Sequence, residues 1–302
     1  MHVTITGGSG FVGKNMETYL SNRSHETIKI SLRDDSWRES VKRTKSLAII
    51  HLAGKAHDTS NTSASAEYFK VNRDLTIELF DVFLRSDVRD FFFISSVKAV
   101  ADTVVGDLVE DAKPFPRTDY GKSKLEAEKY ILAQKLPRGK RMFIIRPCMI
   151  HGPGNKGNLN LLYNVVRMGI PWPLASYDNR RSFLSVDNFN YLIESMLLNV
   201  NVKSGIYNFS DDHSLSTNDL IVLMADTLNK KANLWHLPKA FINIVAKIGD
   251  VIPIPINSER LRKLTESYVV SNDKIKAELK IDTLPVNCKD GLKNTVQSFF
   301  IS

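Results

Sequence analysis

Two residues four apart, Tyr120 and Lys124 in the run Tyr120-Gly121-Lys122-Ser123-Lys124, carry the plainest chemical signal in the chain. On a helix this spacing sets a phenol and an ammonium on one face. A lysine so placed lowers the phenol's pKa electrostatically, and the tyrosine then exchanges a proton near neutral pH. The spacing alone is common on solvated helix faces. Here it gains weight from three companions: the serine pair Ser95-Ser96 at a strand end, Asn72, and a glycine turn, Thr6-Gly7-Gly8-Ser9-Gly10-Phe11-Val12-Gly13. A strand feeding a glycine turn that opens a helix presents free backbone N–H groups and the positive end of the helix dipole to an anion. Gly7 permits the tight turn, Gly10 lets the backbone approach a pyrophosphate, and Gly13 lets the helix pack closely on the strand. The glycines stand at i, i+3 and i+6, which departs from the G-x-G-x-x-G spacing.

The elements that must position these residues alternate through the first half. Strand patterns cover Val3–Thr6, Thr27–Leu32, Leu47–Leu52, Phe91–Ser95 and Met142–Arg146, and a helical pattern follows the first over Val12–Asn22. Such alternation predicts βαβ units, a parallel sheet and ligands at the carboxyl ends of the strands. The polar clusters His51 to Gly54, Ser95-Ser96 and Arg146-Pro147 all fall at those ends. His51 reads as buried and structural. After Pro147 the texture changes to short helical runs broken by Gly152-Pro153-Gly154 and Pro171-Trp172-Pro173. The expected architecture is α/β: a doubly wound Rossmann domain over residues 1–150, with 183–209 returning to it through a strand at Ile206–Phe209. Residues 151–182 and 210–302, with helices near Ser216–Leu228, Lys239–Ile248 and Asp273–Leu279, form a smaller lobe closing over the cofactor.

The chain has 302 residues and a net charge of +8, suited to anionic ligands and compatible with anionic lipid. The basic residues are scattered without the aromatic interleaving of an RNA platform, so no nucleic-acid partner is expected. Two cysteines, Cys148 and Cys288, make neither a metal site nor a disulfide framework and fit a reducing compartment. The longest apolar stretch, Phe241 to Ile256, contains Lys247, Asp250 and two prolines and does not read as a transmembrane helix. A cytoplasmic protein is expected. Cofactor choice turns on the end of the second strand, about 20 residues past the glycine turn, where an acid holds the ribose hydroxyls of NAD. That count lands near Arg33, which favours a 2′-phosphate, while Asp34 one residue on would serve NAD. Both remain open, with the arginine tipping the reading of NAD(P) toward NADP(H).

Taken together, these motifs resemble the extended short-chain dehydrogenase/reductase family of nucleotide-sugar epimerases, dehydratases and reductases. The resemblance runs through the glycine turn, His51-Leu52-Ala53-Gly54, Val71-Asn72, Phe93-Ile94-Ser95-Ser96, Tyr120 to Lys124, Arg146-Pro147, Gly152-Pro153-Gly154, and Arg180-Arg181-Ser182-Phe183 with Val186-Asp187. It implies Tyr120 as general acid/base, Lys124 as the holder of the nicotinamide ribose, and Ser96 as hydrogen-bond partner of the reacting substrate oxygen. It places Gly7, Gly10, Phe11, Val12, Gly13, Leu52, Ala53, Gly54, Asn72 and Pro147 around the dinucleotide, with Ser95 facing it. Arg181 matches the arginine that meets the nucleotide diphosphate, with Arg180 as a surface cation; Asn158 resembles an asparagine on the same diphosphate. Lys98 is solvated or reaches substrate.

The departures narrow the chemistry. Family dehydratases carry Asp-Glu after the strand-end Ser/Thr, whereas Ser96 is followed by Val97-Lys98, so dehydration is not expected. A Val-Tyr-Gly ending is replaced by Ala99-Val100-Ala101. The pattern is most similar to bacterial reductases and epimerases of UDP-N-acetyl-hexosamines for surface polysaccharide. The implied reaction is hydride transfer at C4 of a UDP-sugar, as reduction of a UDP-4-keto-6-deoxy-N-acetylhexosamine or as 4-epimerisation. A cofactor-binding regulator without turnover is a third reading, against which stand Ser96, Tyr120 and Lys124, none of which a sensor needs. No metal is expected. The resemblance also implies a homodimer through helices Ala66–Ser86 and Ser123–Gln134.

Overall fold

A computed structural model of the chain describes residues 1–55, 65–155, 157–252 and 257–300. Six strands make the central sheet: β1 (His2–Thr6), β2 (Glu26–Ile30), β3 (Ala48–His51), β4 (Asp90–Ile94), β5 (Arg141–Pro147) and β6 (Gly205–Phe209). They pair in parallel throughout, in the order β2-β1-β3-β4-β5-β6. The inner strands are apolar runs because both faces of a parallel sheet are covered. Alternation within β4 decides which face each ring serves. Phe91 and Phe93 join Phe80, Phe83 and Ile144 on one side, and Phe92 joins Phe143, Ile145 and Val3 on the other. Helices Phe11–Ser21 and Val186–Leu198 cover the second face; helices Trp37–Arg43, Leu75–Leu84 and Asp119–Ala133 cover the first.

The order reverses direction at β1, with β2 on one side and β3 on the other. That reversal opens a crevice past the carboxyl ends of β1 and β3. Two departures from the sequence reading bear on it. The second strand ends at Ile30 rather than Leu32, so residues 31–36 form the loop from that strand to helix Trp37–Arg43. The helix expected over Ala66–Ser86 is interrupted: Ser65–Tyr68 and Leu75–Leu84 are α-helical, and Phe69–Asp74 between them is a π turn. A π turn inserts one extra residue per turn and redirects the side chains on it; here it turns Asn72 inward.

A second apolar core is built from helices Asn158–Arg167, Thr217–Thr227, Lys239–Gly249 and Cys288–Ser298. Within 210–302 the chain does not stay in this core, because Val270, Ile275 and Leu284 pack with the sheet. Two short parallel pairs stitch the parts together, Met149–His151 with Phe183–Ser185 and Asp107–Leu108 with Val269–Val270. No helix among the described residues is long and apolar enough to cross a membrane.

Candidate active site

The glycine turn closes on itself and on the end of β3. Gly7 adopts φ +73°, and the Gly10 amide donates to the Gly7 carbonyl at 3.0 Å. A Cβ on Gly7 would lie 2.6 Å from the Ala53 nitrogen, and one on Gly13 would lie 2.5 Å from the Gly7 oxygen. Gly7 therefore serves two ends at once: the left-handed turn and the close approach of Leu52-Ala53. Gly10 caps helix Phe11–Ser21 with no side-chain acceptor, and the first turn holds no acid. Its amide groups and dipole are left for an anion, and a dinucleotide's phosphates fit this cradle. Phe11 packs beneath the Gly152–Gly154 turn, and Asn15 Nδ2 donates to the Pro153 carbonyl at 3.1 Å.

The loop after β3 is held from behind. Asn72 accepts from the Lys55 amide at 2.8 Å and donates to the Lys55 carbonyl at 3.1 Å and to Ser123 Oγ at 3.2 Å. This closes Leu52 to Lys55 against helix Asp119–Ala133. Asn72 is thus a clamp on the wall of the crevice, its amide fully used by the protein. His51 is buried, bonded to Thr6 at 2.7 Å and Thr76 at 2.9 Å, and stacked on Phe93. Burial, aided by the Lys124 charge, pushes its pKa down to about 3, so the imidazole stays neutral and structural, as the sequence reading had it.

Ser96, Tyr120 and Lys124 come together. Ser96 caps the short 3-10 turn Val97–Ala99, accepting from the Lys98 amide at 3.2 Å, and its hydroxyl lies close enough to that of Tyr120 to act on the phenol's pKa. Lys124, one turn past Tyr120, donates to the Ile94 carbonyl at 2.9 Å and lies over the Phe93 ring. The contact depends on Gly121. A Cβ there would sit 2.3 Å from the Lys98 carbonyl oxygen, so only glycine lets the helix press onto the turn that carries Ser96. The electrostatics differ from the sequence expectation. Burial raises the Tyr120 pKa, the Ser96 hydroxyl opposes that rise, and Lys124 is not among the causes. The reason is that Lys124 is itself desolvated, its pKa pushed down to about 8, with its ammonium turned to a carbonyl.

Ser95 is likewise not where it was expected. Its hydroxyl donates to Glu128 rather than facing the cofactor crevice. Glu128 pairs with Arg146 in turn, Nη2 to Oε2 at 2.6 Å with both side chains buried. Such a pair, desolvated on both sides, is costly to break by removing one partner. It locks the Tyr120 helix to β5, whose last residue is Pro147. Glu128 continues the Tyr120, Lys124 stripe at i+8, a signal present in the sequence but unread.

On the substrate side, Lys98 and Arg181 approach each other. Lys98 Nζ donates to the Asp102 carbonyl at 2.9 Å and lies 4.3 Å from the centre of the Tyr268 ring. Burial is the main cause that brings its pKa down to about 8; the nearby Asp102 and Glu266 carboxylates oppose the fall, and the charges of Arg181 and Lys263 add to it. Arg181 donates to the Lys263 carbonyl at 2.6 Å, and burial lowers its pKa too. Two desolvated cations that repel each other are stabilised by an arriving anion. Arg180, by contrast, is exposed and bonded to Ser214. Tyr268 was not foreseen: its hydroxyl donates to the Ala101 carbonyl at 2.8 Å, and its backbone pairs with residues 180–182. No sequence pattern marks it, because the residues it joins lie far apart in the chain. Asn158 opens helix Asn158–Arg167, and its side chain lies outside the described residues. Arg33 is exposed beyond β2 and, among the described residues, has no side-chain partner, whereas Asp34 accepts from Ser36 through both its amide and hydroxyl.

The sequence pattern of the NAD dependent epimerase/dehydratase family matches residues 3–209. UDP-glucose 4-epimerase of Vibrio cholerae is 29% identical, covering 98% of this chain and 95% of that protein. The N-acetyl-alpha-D-glucosaminyl-diphospho-ditrans,octacis-undecaprenol 4-epimerase of Escherichia coli O157:H7 is 26% identical over 99% and 96%. GDP-6-deoxy-D-mannose reductase of Pseudomonas aeruginosa is 27% identical over 74% and 78%. Among solved structures, the Bordetella bronchiseptica enzyme WbmG in complex with NAD superposes with TM-score 0.77 at 18% identity, covering 100% of this chain and 94% of that one. RMD from Pseudomonas aeruginosa complexed with NADPH superposes with TM-score 0.76 at 20% identity, over 100% and 99%. With the doubly wound sheet, the glycine cradle and this match over two thirds of its length, the chain belongs to the NAD dependent epimerase/dehydratase family.

Proposed function

We propose that the protein oxidises or reduces C4 of a UDP-sugar, and that its net reaction is reduction of a UDP-4-keto-6-deoxy-N-acetylhexosamine for surface polysaccharide, in the cytoplasm. The hydroxyl pair of Ser96 and Tyr120, with Lys124 one turn on, carries this reading. Ser96 holds the C4 oxygen and Tyr120 exchanges its proton. Burial keeps the phenol protonated, which is the form that donates to a ketone oxygen. Lys124 holds the ribose of the dinucleotide and, one residue pair from Ser96, anchors the helix to the Ile94 carbonyl. The nicotinamide, when bound, supplies and takes up the hydride. Gly7, Gly10, Phe11, Val12 and Gly13 take its phosphates; Leu52, Ala53 and Gly54, braced by Asn72, wall the crevice, with the backbone of Ser95 and Pro147 at the neighbouring strand ends. Lys98, Arg181 and Asn158 receive the substrate diphosphate, within a lobe made of 151–182 and 210–302.

The choice of net reduction rests on Arg33. Among the described residues its guanidinium has no side-chain partner, while the Asp34 carboxylate is committed to Ser36, an arrangement that favours a 2′-phosphate and an exchangeable NADP(H). The second reading is 4-epimerisation, favoured by full-length similarity to two 4-epimerases. An epimerase returns the hydride to the opposite face and keeps its cofactor. Stoichiometry separates the two. Loss of one NAD(P)H per UDP-4-keto-sugar supports reduction; interconversion of two C4-epimeric UDP-hexosamines with no net cofactor change, by protein isolated with NAD, establishes epimerisation instead. We also assign a homodimer through helices 65–84 and 119–133, which light scattering tests.

A further inference from the structure

The apolar stretch that begins at Phe241 is left unexplained by the catalytic site. Its first part is helix Lys239–Gly249, and the helix divides its apolar residues between two sides. Ile242 and Ala246 are buried in the lobe core. Phe241, Ile244 and Ile248, spaced by three and four, form one stripe on the outside, and Val251 and Ile252 follow past the helix end. These five side chains are each between 47 and 87% exposed. Single exposed apolar residues are ordinary on a folded surface; three along one helix edge with two more just past its end mark a contact face.

The charge around the stripe says what that face meets. Residues 229–265 hold seven Lys and Arg, among them Lys239 and Lys247 on the helix itself, against the two acids Asp250 and Glu259, a net of +5 within a chain of +8. Both acids are engaged locally, Asp250 with Ser258 and Glu259 with Lys263 at 2.6 Å. An apolar helix edge flanked by cations is complementary to an anionic bilayer surface, where apolar side chains enter the acyl boundary and lysines meet the headgroups.

We propose that helix Lys239–Gly249 seats the protein on an anionic lipid surface, from one side and without spanning it. Helix Ser258–Thr265 packs against this helix, and its Lys263 carbonyl holds Arg181, so the seated face lies one helix away from the cationic pair assigned to the sugar diphosphate. A lipid surface is also where sugar diphosphates on lipid carriers are displayed. The seating stands on the lobe's surface alone, and its test needs no turnover, so it and the assigned reaction fail separately.

The test is flotation of the full chain with phosphatidylcholine vesicles, with and without phosphatidylglycerol, at low and high salt. The wild-type protein is expected to float with the anionic vesicles and to be released as salt rises. The pair Phe241→Ser and Ile248→Ser is expected to lower vesicle partitioning by about tenfold or more, with the melting temperature unchanged. Lys247→Glu, which leaves the apolar stripe intact, is expected to weaken partitioning to the anionic vesicles alone. No flotation of the wild type, or equal flotation of wild type and variants, overturns the proposal. So does absence of flotation with a dimer that the paired serine substitution dissociates, since a second copy would then cover the stripe.

Discussion

Gly121→Ala tests whether the contact between helix Asp119–Ala133 and the Ser96 turn sets the catalytic geometry. The added methyl would lie 2.3 Å from the Lys98 carbonyl oxygen, with Pro116 Cβ at 2.9 Å on its other side. A carbon needs about 3.3 Å from such an oxygen, so helix and turn must part by about 1 Å. Two stability effects oppose each other. Overpacking costs about 1–3 kcal/mol, while alanine in place of glycine inside a helix returns up to about 1 kcal/mol. The net loss is about 0–3 kcal/mol, a fall in Tm of roughly 0–5 °C for a chain of this size. The catalytic effect is larger, because Ser96 rides on the turn and Tyr120 on the helix, and a displacement of about 1 Å costs on the order of 10²-fold in rate. We expect kcat to fall by about that factor while the protein melts nearly as before. The assay is steady-state turnover of a UDP-sugar beside a thermal melt. Wild-type kcat at wild-type Tm would refute the argument, showing that something other than Gly121 fixes the Ser96–Tyr120 contact.

Three further outcomes follow from the same geometry. Tyr120→Phe removes the exchanging proton without moving the helix, so turnover should fall by on the order of 10²–10⁴-fold with nicotinamide affinity nearly intact; turnover at the wild-type rate would end the assignment. Arg181→Ala should weaken the UDP-sugar by about tenfold or more, since a charge-assisted bond to phosphate contributes roughly 1.5–3 kcal/mol. Calorimetry that finds the dinucleotide weakened equally would point to a folding defect instead. Lys98 has a folded-state pKa of about 8, below its ordinary 10.5, so between these values the unfolded chain binds more protons and stability gains with rising pH. Lys98→Met removes that gain: the Tm of the wild type relative to the variant should rise from about pH 7 to about pH 9.5, and a difference constant with pH would count against the desolvated lysine.

The sequence by itself determined what local pattern and chain order can determine. Apolar strands at Val3, Ile49, Phe91 and Ile144 alternate with helices, and that alternation dictates a parallel doubly wound sheet whose strand ends gather Gly7, Ala53, Ser96 and Pro147 on one edge. Tyr120 and Lys124 are legible because their relation is four residues long. What lay beyond reach are contacts set by packing between distant segments. Ser95 and Ser96 are neighbours of one type, yet one serves the Glu128–Arg146 pair and the other Tyr120, and only the placement of helix Asp119–Ala133 over β4 and β5 separates them. Asn72 works as a clamp because a π turn rotates it inward, which no residue type signals. The protonation of Tyr120 reversed for a related reason: sequence supplies the lysine's charge, but burial, a property of the assembled core, decides how much of that charge reaches the phenol. Tyr268 and the cation pair Lys98–Arg181 exist as a site only once residues 269–270 pair beside 107–108, joining segments more than 150 residues apart.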